Sequence, residues 1–246
     1  MFEDAKTGVL PRECARFFMS PVEIEMAGMI FTVPLLLAAQ GLAVSGVPVY
    51  FPASLSEQIP QCRHQGKVRS AAQLSAFERE WYSRFLYAAK EPSLAEMAGT
   101  GNASGSVIRF TWLRSFHAPV VVRVMGLGTA APQLVATALT GRGGYDPGVP
   151  GPVLDRPLRK EEAAMLQAVL SGSRLTEASS VANRRPVLKE CGIADPLGTD
   201  GAEWVLEAVD AKGYRFDKAW SPRIGKVRDI GLAMLKLTGW SIDPIY

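Results

Sequence analysis

The sequence predicts an α+β fold, with an antiparallel sheet and helices on one of its faces. Segments rich in β-forming residues occur in a group of three and a group of two, and the short turns between them favour antiparallel pairing. Segments with helical periodicity stand before, between and after these groups. The order helix, three strands, helix, two strands, helix is typical of α+β domains. It is compatible with two β-β-α units, although no residue-level repeat relates them.

The first predicted helix begins at a capping signal. Ser75 and Glu78 form the S-x-x-E pattern of a capping box, and Pro92 ends the helix because proline cannot continue it. Ser93 and Glu96 repeat the pattern at the start of a short second helix. The apolar residues that recur at helical spacing, and that we expect to face the core, are Phe77, Trp81, Phe85 and Ala88.

Three strands and a loop follow. Alternating apolar and polar residues over 108–116 predict a half-buried strand, and 120–124 and 133–140 predict two more. The segment 141–157 contains five glycines and four prolines, so we predict a loop. The segment 171–199 has no sustained period and is predicted to be irregular.

Two further helices are predicted from periodic apolar residues. The first covers 158–170 and the second covers 227–237, where Gly239 ends it. The residues of the second helix that we expect to face inward are Val227, Ile230, Met234 and Leu237.

The segment 200–222 predicts a hairpin. If Gly213 takes the left-handed position of a three-residue loop, Asp210 pairs with Tyr214 and Trp204 pairs with Trp220. We expect Trp204, Leu206, Ala208, Tyr214, Phe216 and Trp220 on a core face, and Glu203, Val205, Glu207, Arg215 and Asp217 on a solvent-exposed face. The hairpin is therefore interpreted as core rather than as a functional motif.

The N-terminal segment has an unusual charge distribution, since no charged residue lies between Glu25 and Glu57. The apolar run 30–39, followed by small residues at Ala43 and Ser45, favours an export signal. A retained membrane anchor and a buried helix of a soluble domain are the alternatives. We divide the chain into an export signal or membrane-contacting anchor (1–45), a linker (46–72) and a single α+β domain (73–246).

The cysteine count agrees with export. Cys14, Cys62 and Cys191 are the cysteines of the chain, and cleavage after Ser45 leaves two. We predict that Cys62 and Cys191 form a disulfide in an oxidising, periplasmic or extracellular compartment. Two unpaired thiols are the alternative.

Few residues carry recognisable chemistry. With 48% hydrophobic and 21% charged residues the chain is globular, and its net charge of +3 gives no support for a nucleic-acid partner. The only histidines are His64 and His117, which excludes a His-rich metal site, and no zinc, dinucleotide or phosphate-loop motif occurs. We therefore predict no metal and no cofactor. The one polar constellation is His117 near Arg114 at a strand end, where we interpret the histidine as structural.

Several short motifs resemble a known group of sequences. The segments EWYSRFL, EPSL, RFTWLRSFHAPVVVRV, GGYDPG, DGAEWVLE and WSP, spread over about 80–240, are similar to those of a loose group of uncharacterised bacterial proteins, many with N-terminal export signals. The resemblance implies export and these domain limits, and it implies no mechanism.

Two classes of function remain. The first is an exported, non-catalytic module that binds a protein or an envelope component, with the polar residues Arg114, His117, Asp200, Glu203 and Glu207 as candidate contacts. The second is a carboxylate-dependent hydrolase of the cell envelope that uses Asp200, Glu203 or Glu207. Because Glu203 and Glu207 are four residues apart on a strand, about 13 Å, each would need another partner. We favour the binding module.

Overall fold

A six-stranded antiparallel sheet is the centre of the fold. The computed structural model describes residues 48–100, 105–172 and 200–246, which fall in one compact unit spanning 45–246. The strands are β1 (Ile59–His64), β2 (Lys67–Ala71), β3 (Ser106–Arg114), β4 (Val120–Leu127), β5 (Gln133–Leu139), β6 (Pro150–Pro157), β7 (Ala202–Asp210) and β8 (Gly213–Trp220). The large sheet has the order β6-β5-β4-β3-β7-β8, and β1 and β2 form a separate hairpin.

Four helices in the described residues pack against the large sheet. They are α1 (Ala76–Ala88), α2 (Leu94–Thr100), α3 (Lys160–Gly172) and α4 (Lys226–Thr238). The α+β class and the antiparallel sheet are confirmed, and β5-β6-α3 and β7-β8-α4 are two β-β-α units. Helices cover both faces of the sheet rather than one, since α3 and α4 share one core with the sheet while α1 and α2 belong to cores on the other face. For this reason β3 is buried on both faces, not half-buried as expected.

The α4 side of the sheet contains an aromatic core. Trp204 is fully buried, and its ring lies 5.2 Å from that of Phe110 and 5.5 Å from that of Trp112, its partner across β3 and β7. Helix α4 approaches this cluster closely at Gly231, where a Cβ atom would lie 2.7 Å from the Trp204 ring. All four residues of α4 that were expected to face inward are buried.

The α1 side is built partly from the segment predicted as a linker. Tyr50, Phe51 and Leu55 are buried there with α1 residues, so at least this part of 46–72 belongs to the folded unit. The capping box at Ser75 is confirmed. Three of the four α1 residues expected to face inward contact this core: Phe85 is buried, and Trp81 and Ala88 are partly buried against it. The fourth, Phe77, is 59% exposed and packs beside Trp81 and Tyr145. The most buried residues of the helix also include Tyr82 and Leu86, because the position of the sheet rotates the covered stripe toward them.

The loop predicted for 141–157 is wrong in its second half, which forms β6. This strand lies at the edge of the sheet, where proline is tolerated because one side of the strand needs no hydrogen-bond donors. The irregular segment predicted for 171–199 lies outside the described residues from 173 onward, as does the N-terminal segment to residue 47. Among the helices in the described ranges, none has both the length and the apolar character needed to cross a bilayer.

The register predicted for the β7-β8 hairpin is wrong by one residue. Asp210 pairs with Gly213 across a two-residue turn, and Trp204 pairs with Ala219 instead of Trp220. Gly213 does adopt a positive φ of 103°, but as the first residue of β8 and not within the loop. The shift turns the aromatic residues Tyr214, Phe216 and Trp220 toward the α1 side, where Tyr214 and Phe216 pack against the core and Trp220 stays partly exposed.

Candidate functional site

The segment that follows α4 lies at one end of the sheet and lines two cavities. Gly239, with a left-handed φ of 68°, ends α4. The indole Nε1 of Trp204 donates to the carbonyl of Tyr246 at 3.0 Å, and the Tyr246 hydroxyl lies 2.8 Å from Nδ1 of His117. These contacts hold the segment against the strand ends.

The first cavity, which we call the docking cleft, has a volume of about 550 Å³. Its lining residues are Phe116, Asp200, Gly201, Ser221, Pro222, Arg223, Arg228, Ile245 and Tyr246. Phe116 is 65% exposed, and Ile245 is also exposed. Trp220 and Ile224, which adjoin lining residues in the sequence, are 39% and 87% exposed. Two exposed large apolar side chains, those of Phe116 and Ile245, therefore line the docking cleft itself.

The docking cleft has an excess of positive charge. Arg228 donates to the carbonyl of Pro222 at 3.0 Å, and its guanidinium lies 5.7 Å from the centre of the Trp204 ring. Within the described part of the chain, neither Arg223 nor Arg228 forms an ion pair with a carboxylate. Asp200 is the acidic residue of the lining. Two cations and one carboxylate thus face the same cleft.

The second cavity, which we call the Arg114 cavity, has a volume of about 390 Å³ and shares no lining residue with the docking cleft. It is lined by Arg114, His117, Ala118, Val120, Ala138, Pro152, Trp240, Ser241, Ile242 and Asp243. The wall is mostly apolar, and the polar groups converge from the end of β3 and from the segment after α4. Arg114 and His117, the polar pair singled out in the sequence, therefore meet in a cavity.

His117 has a structural partner. The contact between its Nδ1 atom and the Tyr246 hydroxyl ties the β3-β4 connection to the segment after α4. The contact joins His117 of the Arg114 cavity to Tyr246 of the docking cleft, which gives His117 a structural role. Tyr246 lies 129 positions away in the sequence, so no local pattern could have revealed it.

Glu207 does not lie on a solvent-exposed face, which corrects the expectation from the hairpin. It is fully buried and accepts two hydrogen bonds from Arg109, from Nε at 2.8 Å and from Nη2 at 2.7 Å. The hydroxyl of Tyr214 donates a third bond at 2.9 Å. Because α1 and α2 cover this face, the carboxylate is surrounded by protein, and its hydrogen-bonding capacity is largely used.

The network around Glu207 extends to a second carboxylate. Arg109 donates from Nη1 to the carbonyl of Pro92 at 2.6 Å and lies 3.5 Å from Glu91. Arg123 donates to the same Glu91 at 2.7 Å. Burial alone would lower the pKa of Arg109, but Glu207 and Glu91 outweigh this effect and raise that pKa above its ordinary value. The network is a compensated charge cluster within the core.

Glu203 is also buried, and its environment differs. Burial raises the pKa of Glu203 to about 7, although the nearby Lys218 ammonium acts in the opposite direction. Lys218 itself forms an ion pair with Glu78 at the start of α1. Burial also raises the pKa of Glu207, although Arg109 acts in the opposite direction, so both buried glutamates of β7 have a pKa above the ordinary value.

The five candidate residues from the sequence fall into three places. Asp200 lines the docking cleft, Arg114 and His117 line the Arg114 cavity, and Glu203 and Glu207 lie in the core under α1 and α2. Residues that sequence reasoning missed are Arg109, Arg223 and Arg228. The sequence did contain a sign of the role of Arg109, because a cation within an apolar strand requires a buried partner of opposite charge. The arginines after the WSP motif carried no comparable signal.

The described residues contain no group of three or more histidine, cysteine, aspartate or glutamate side chains that could hold a metal ion. Cys62 takes part in a disulfide. Cys191 lies outside the described residues, so its pairing with Cys62 stays a prediction.

Comparisons with known proteins return nothing that resembles this chain: no family model, curated protein or solved structure matches it. The similarity of its short motifs to a group of bacterial proteins therefore stays an expectation.

Proposed function

We propose that this chain is an exported, non-catalytic binding module whose docking cleft receives an acidic and apolar segment of a protein partner. The observation that carries the proposal is the combination of exposed apolar side chains and unpaired guanidinium groups around one cleft. Isolated exposed apolar residues are normal on protein surfaces, but a group of them around a cleft is typical of interaction sites.

The residue types support docking of a protein. Phe116 and Ile245 can bury large apolar surfaces, and Arg223 and Arg228 can each bind a carboxylate through two hydrogen bonds. Tryptophan, tyrosine and arginine are enriched among residues whose truncation costs most at interfaces. The excess of positive charge favours an acidic partner and speeds its association.

Export is supported by the state of Cys62. A stable disulfide is typical of secreted and periplasmic proteins and rare in reducing compartments. It agrees with the uncharged N-terminal run, followed by Ala43 and Ser45, that favours an export signal. If 1–45 is retained, the same apolar run would contact a membrane.

One observation favours the alternative, an envelope hydrolase that uses a carboxylate. Glu203 has the raised pKa that a general acid needs. However, Glu203 and Glu207 line neither of the two cavities described above, nor a third of about 450 Å³ beside Tyr50 and Glu91. A substrate in any of these three cavities would not touch the buried carboxylates, so the binding module is better supported.

Site-specific photo-crosslinking tests the proposal. A photoreactive phenylalanine analogue at position 116 should give a defined protein adduct in the source cells. The same analogue at Val153, an equally exposed apolar position on β6, is the matched control and should give none. Arg223→Glu should abolish the adduct at 116, because it reverses the charge offered to an acidic partner.

Two results would count against the proposal. The first is equal adduct formation at positions 116 and 153, or an adduct that Arg223→Glu leaves unchanged. The second is hydrolysis of an envelope component by the purified chain that Glu203→Gln abolishes and Arg223→Glu does not affect, which would favour the alternative.

A further inference from the structure

Arg114 differs from the other buried arginines of the described residues in the way its charge is balanced. Arg109 and Arg123 each lie within ion-pair distance of a buried carboxylate. Arg114 is only 6% exposed, yet it forms no ion pair with any described carboxylate. Burying an unpaired charge is costly, and proteins usually avoid it.

The guanidinium of Arg114 keeps donors available to the cavity. Its Nε and Nη2 atoms both donate to one carbonyl, that of Ala118, at 3.0 and 2.6 Å. A guanidinium has five N–H donors, so three have no acceptor in the described part of the chain. The charge lies 4.6 Å from the centre of the Trp112 ring, which holds the plane of the guanidinium in place.

A second donor near Arg114 also lacks an acceptor. The indole Nε1 of Trp112 is buried and has no hydrogen-bond partner in the structure. Burial lowers the pKa of Arg114 below its ordinary value, while Tyr246 acts in the opposite direction. Two buried groups at the end of β3 therefore have N–H donors without acceptors among the described residues, and the one carboxylate in the lining of the cavity, that of Asp243, forms no ion pair with Arg114.

The remaining wall of the cavity determines what kind of anion would fit. Val120, Ala138, Pro152, Trp240 and Ile242 present apolar surface. A strongly hydrated inorganic anion would leave this surface unused, and a macromolecule would not fit in about 390 Å³. Volumes of this size and composition are typical of sites for small organic molecules.

We propose that the Arg114 cavity is a binding site for a small organic carboxylate with an apolar body. The carboxylate of the ligand accepts hydrogen bonds from the free N–H groups of Arg114. The apolar body of the ligand lies against the apolar part of the wall, which includes Trp240. This site is distinct from the docking cleft, with which it shares no lining residue, although the contact between His117 and Tyr246 joins their walls.

Calorimetric titration of the full chain with 3-phenylpropionate at pH 7.5 tests the proposal. We expect saturable binding at one site per chain and no binding of the neutral 3-phenylpropanamide, which has nearly the same shape. Ligand at ten times the dissociation constant should also raise the melting temperature by about 3 °C. Inorganic phosphate should not compete, because it cannot use the apolar wall.

Two variants locate the site. Arg114→Met should weaken binding of 3-phenylpropionate by about 10- to 100-fold, which corresponds to the loss of charge-assisted hydrogen bonds. Arg142→Met, which removes an exposed arginine from the β5-β6 connection, is the control and should leave binding unchanged. If Arg114→Met does not fold, competition between 3-phenylpropionate and its amide on the wild-type chain still decides whether charge is recognised.

A further titration distinguishes a small-molecule carboxylate from the carboxylate at the C-terminus of a peptide. A tetrapeptide with a free C-terminal phenylalanine presents the same group at a chain end, and its binding more tightly than 3-phenylpropionate would overturn the assignment to a small molecule. Three other results would overturn the proposal as a whole. These are equal binding of the acid and the amide, unchanged binding by Arg114→Met, and no binding of 3-phenylpropionate at about 10 mM. That concentration is ten times a dissociation constant of about 1 mM, the weak end expected for a specific small-molecule site.

Discussion

Arg109 and Glu207 show how a single residue position is decided by a partner far away in the sequence. They lie opposite each other on β3 and β7, and both are almost fully buried. Two parallel hydrogen bonds satisfy the carboxylate, and the charges cancel. A charged residue on a strand is thus compatible with the core when its neighbour on the next strand compensates it.

Glu207→Ala should destabilise the fold by about 3 to 5 kcal/mol. The reason is that the Arg109 guanidinium stays buried but loses the carboxylate that balances most of its charge. The measurement is the free energy of unfolding in urea. Glu80→Ala, which removes one partner of an exposed ion pair with Arg84, is the control and should cause little change. A Glu207→Ala variant as stable as the wild type would show that the pair is not buried in solution.

Glu203 should make stability depend on pH. Its pKa is about 7 in the folded chain, against 4.5 for an ordinary glutamate. Below pH 4.5 the group is protonated in both states. Between pH 4.5 and 7 the unfolded chain loses the proton first, so stability falls as the pH rises, by at most about 3 kcal/mol.

Glu203→Gln should remove this dependence. The variant should match the wild type near pH 4.5 and exceed its free energy of unfolding at pH 8, because glutamine does not ionise. The difference between the two proteins, measured by urea unfolding at both pH values, isolates the one group. A constant difference across this range would mean that Glu203 titrates normally in the fold.

At the scale of elements, the β7-β8 hairpin shows that the two tryptophans predicted to pair across it have different environments. Trp204 lies under α4 in contact with Phe110 and Trp112, whereas Trp220 is partly exposed with its ring near Gly201, a lining residue of the docking cleft. The register of the hairpin sends them to opposite faces of the sheet.

Trp204→Ala should cost about 3 to 5 kcal/mol of unfolding free energy, because it leaves a large cavity in the core. Trp220→Ala should cost less than about 1 kcal/mol and should weaken crosslinking at position 116. Thermal or urea unfolding of both variants, together with the crosslinking assay, makes the comparison. Equal destabilisation by both would support the cross-strand pairing of Trp204 with Trp220 that the structure contradicts.

At the scale of the whole molecule, the disulfide of Cys62 joins the β1-β2 hairpin to another part of the chain. We predict that its partner is Cys191. Such a bond would close a long loop and stabilise the fold by up to about 4 to 5 kcal/mol in the chain-entropy model. Peptide mapping without reduction should find the peptides of Cys62 and Cys191 linked. A link between Cys62 and Cys14 would contradict both this pairing and removal of the N-terminal segment.

The sequence by itself determined the local features of this protein. The capping box at Ser75, the end of α4 at Gly239 and the inward face of α4 depend on residues close together in the chain, and all three were predicted correctly. The α+β class followed from the order of such elements. The sequence also predicted that Arg114 and His117 lie close together, because they are three residues apart.

Only the tertiary structure decided which surfaces are covered. Alternation along β7 showed that Glu203 and Glu207 share a face with Val205, but it could not show that α1 and α2 bury this face. The sequence could not determine the register of the hairpin for the same reason. Because apolar layers cover both faces of the sheet, the aromatic side chains of β8 can be buried on either face. The two cavities depend on residues more than 100 positions apart, such as His117 and Tyr246. Burial and pairing at that distance are properties of the packed chain, and no local pattern records them.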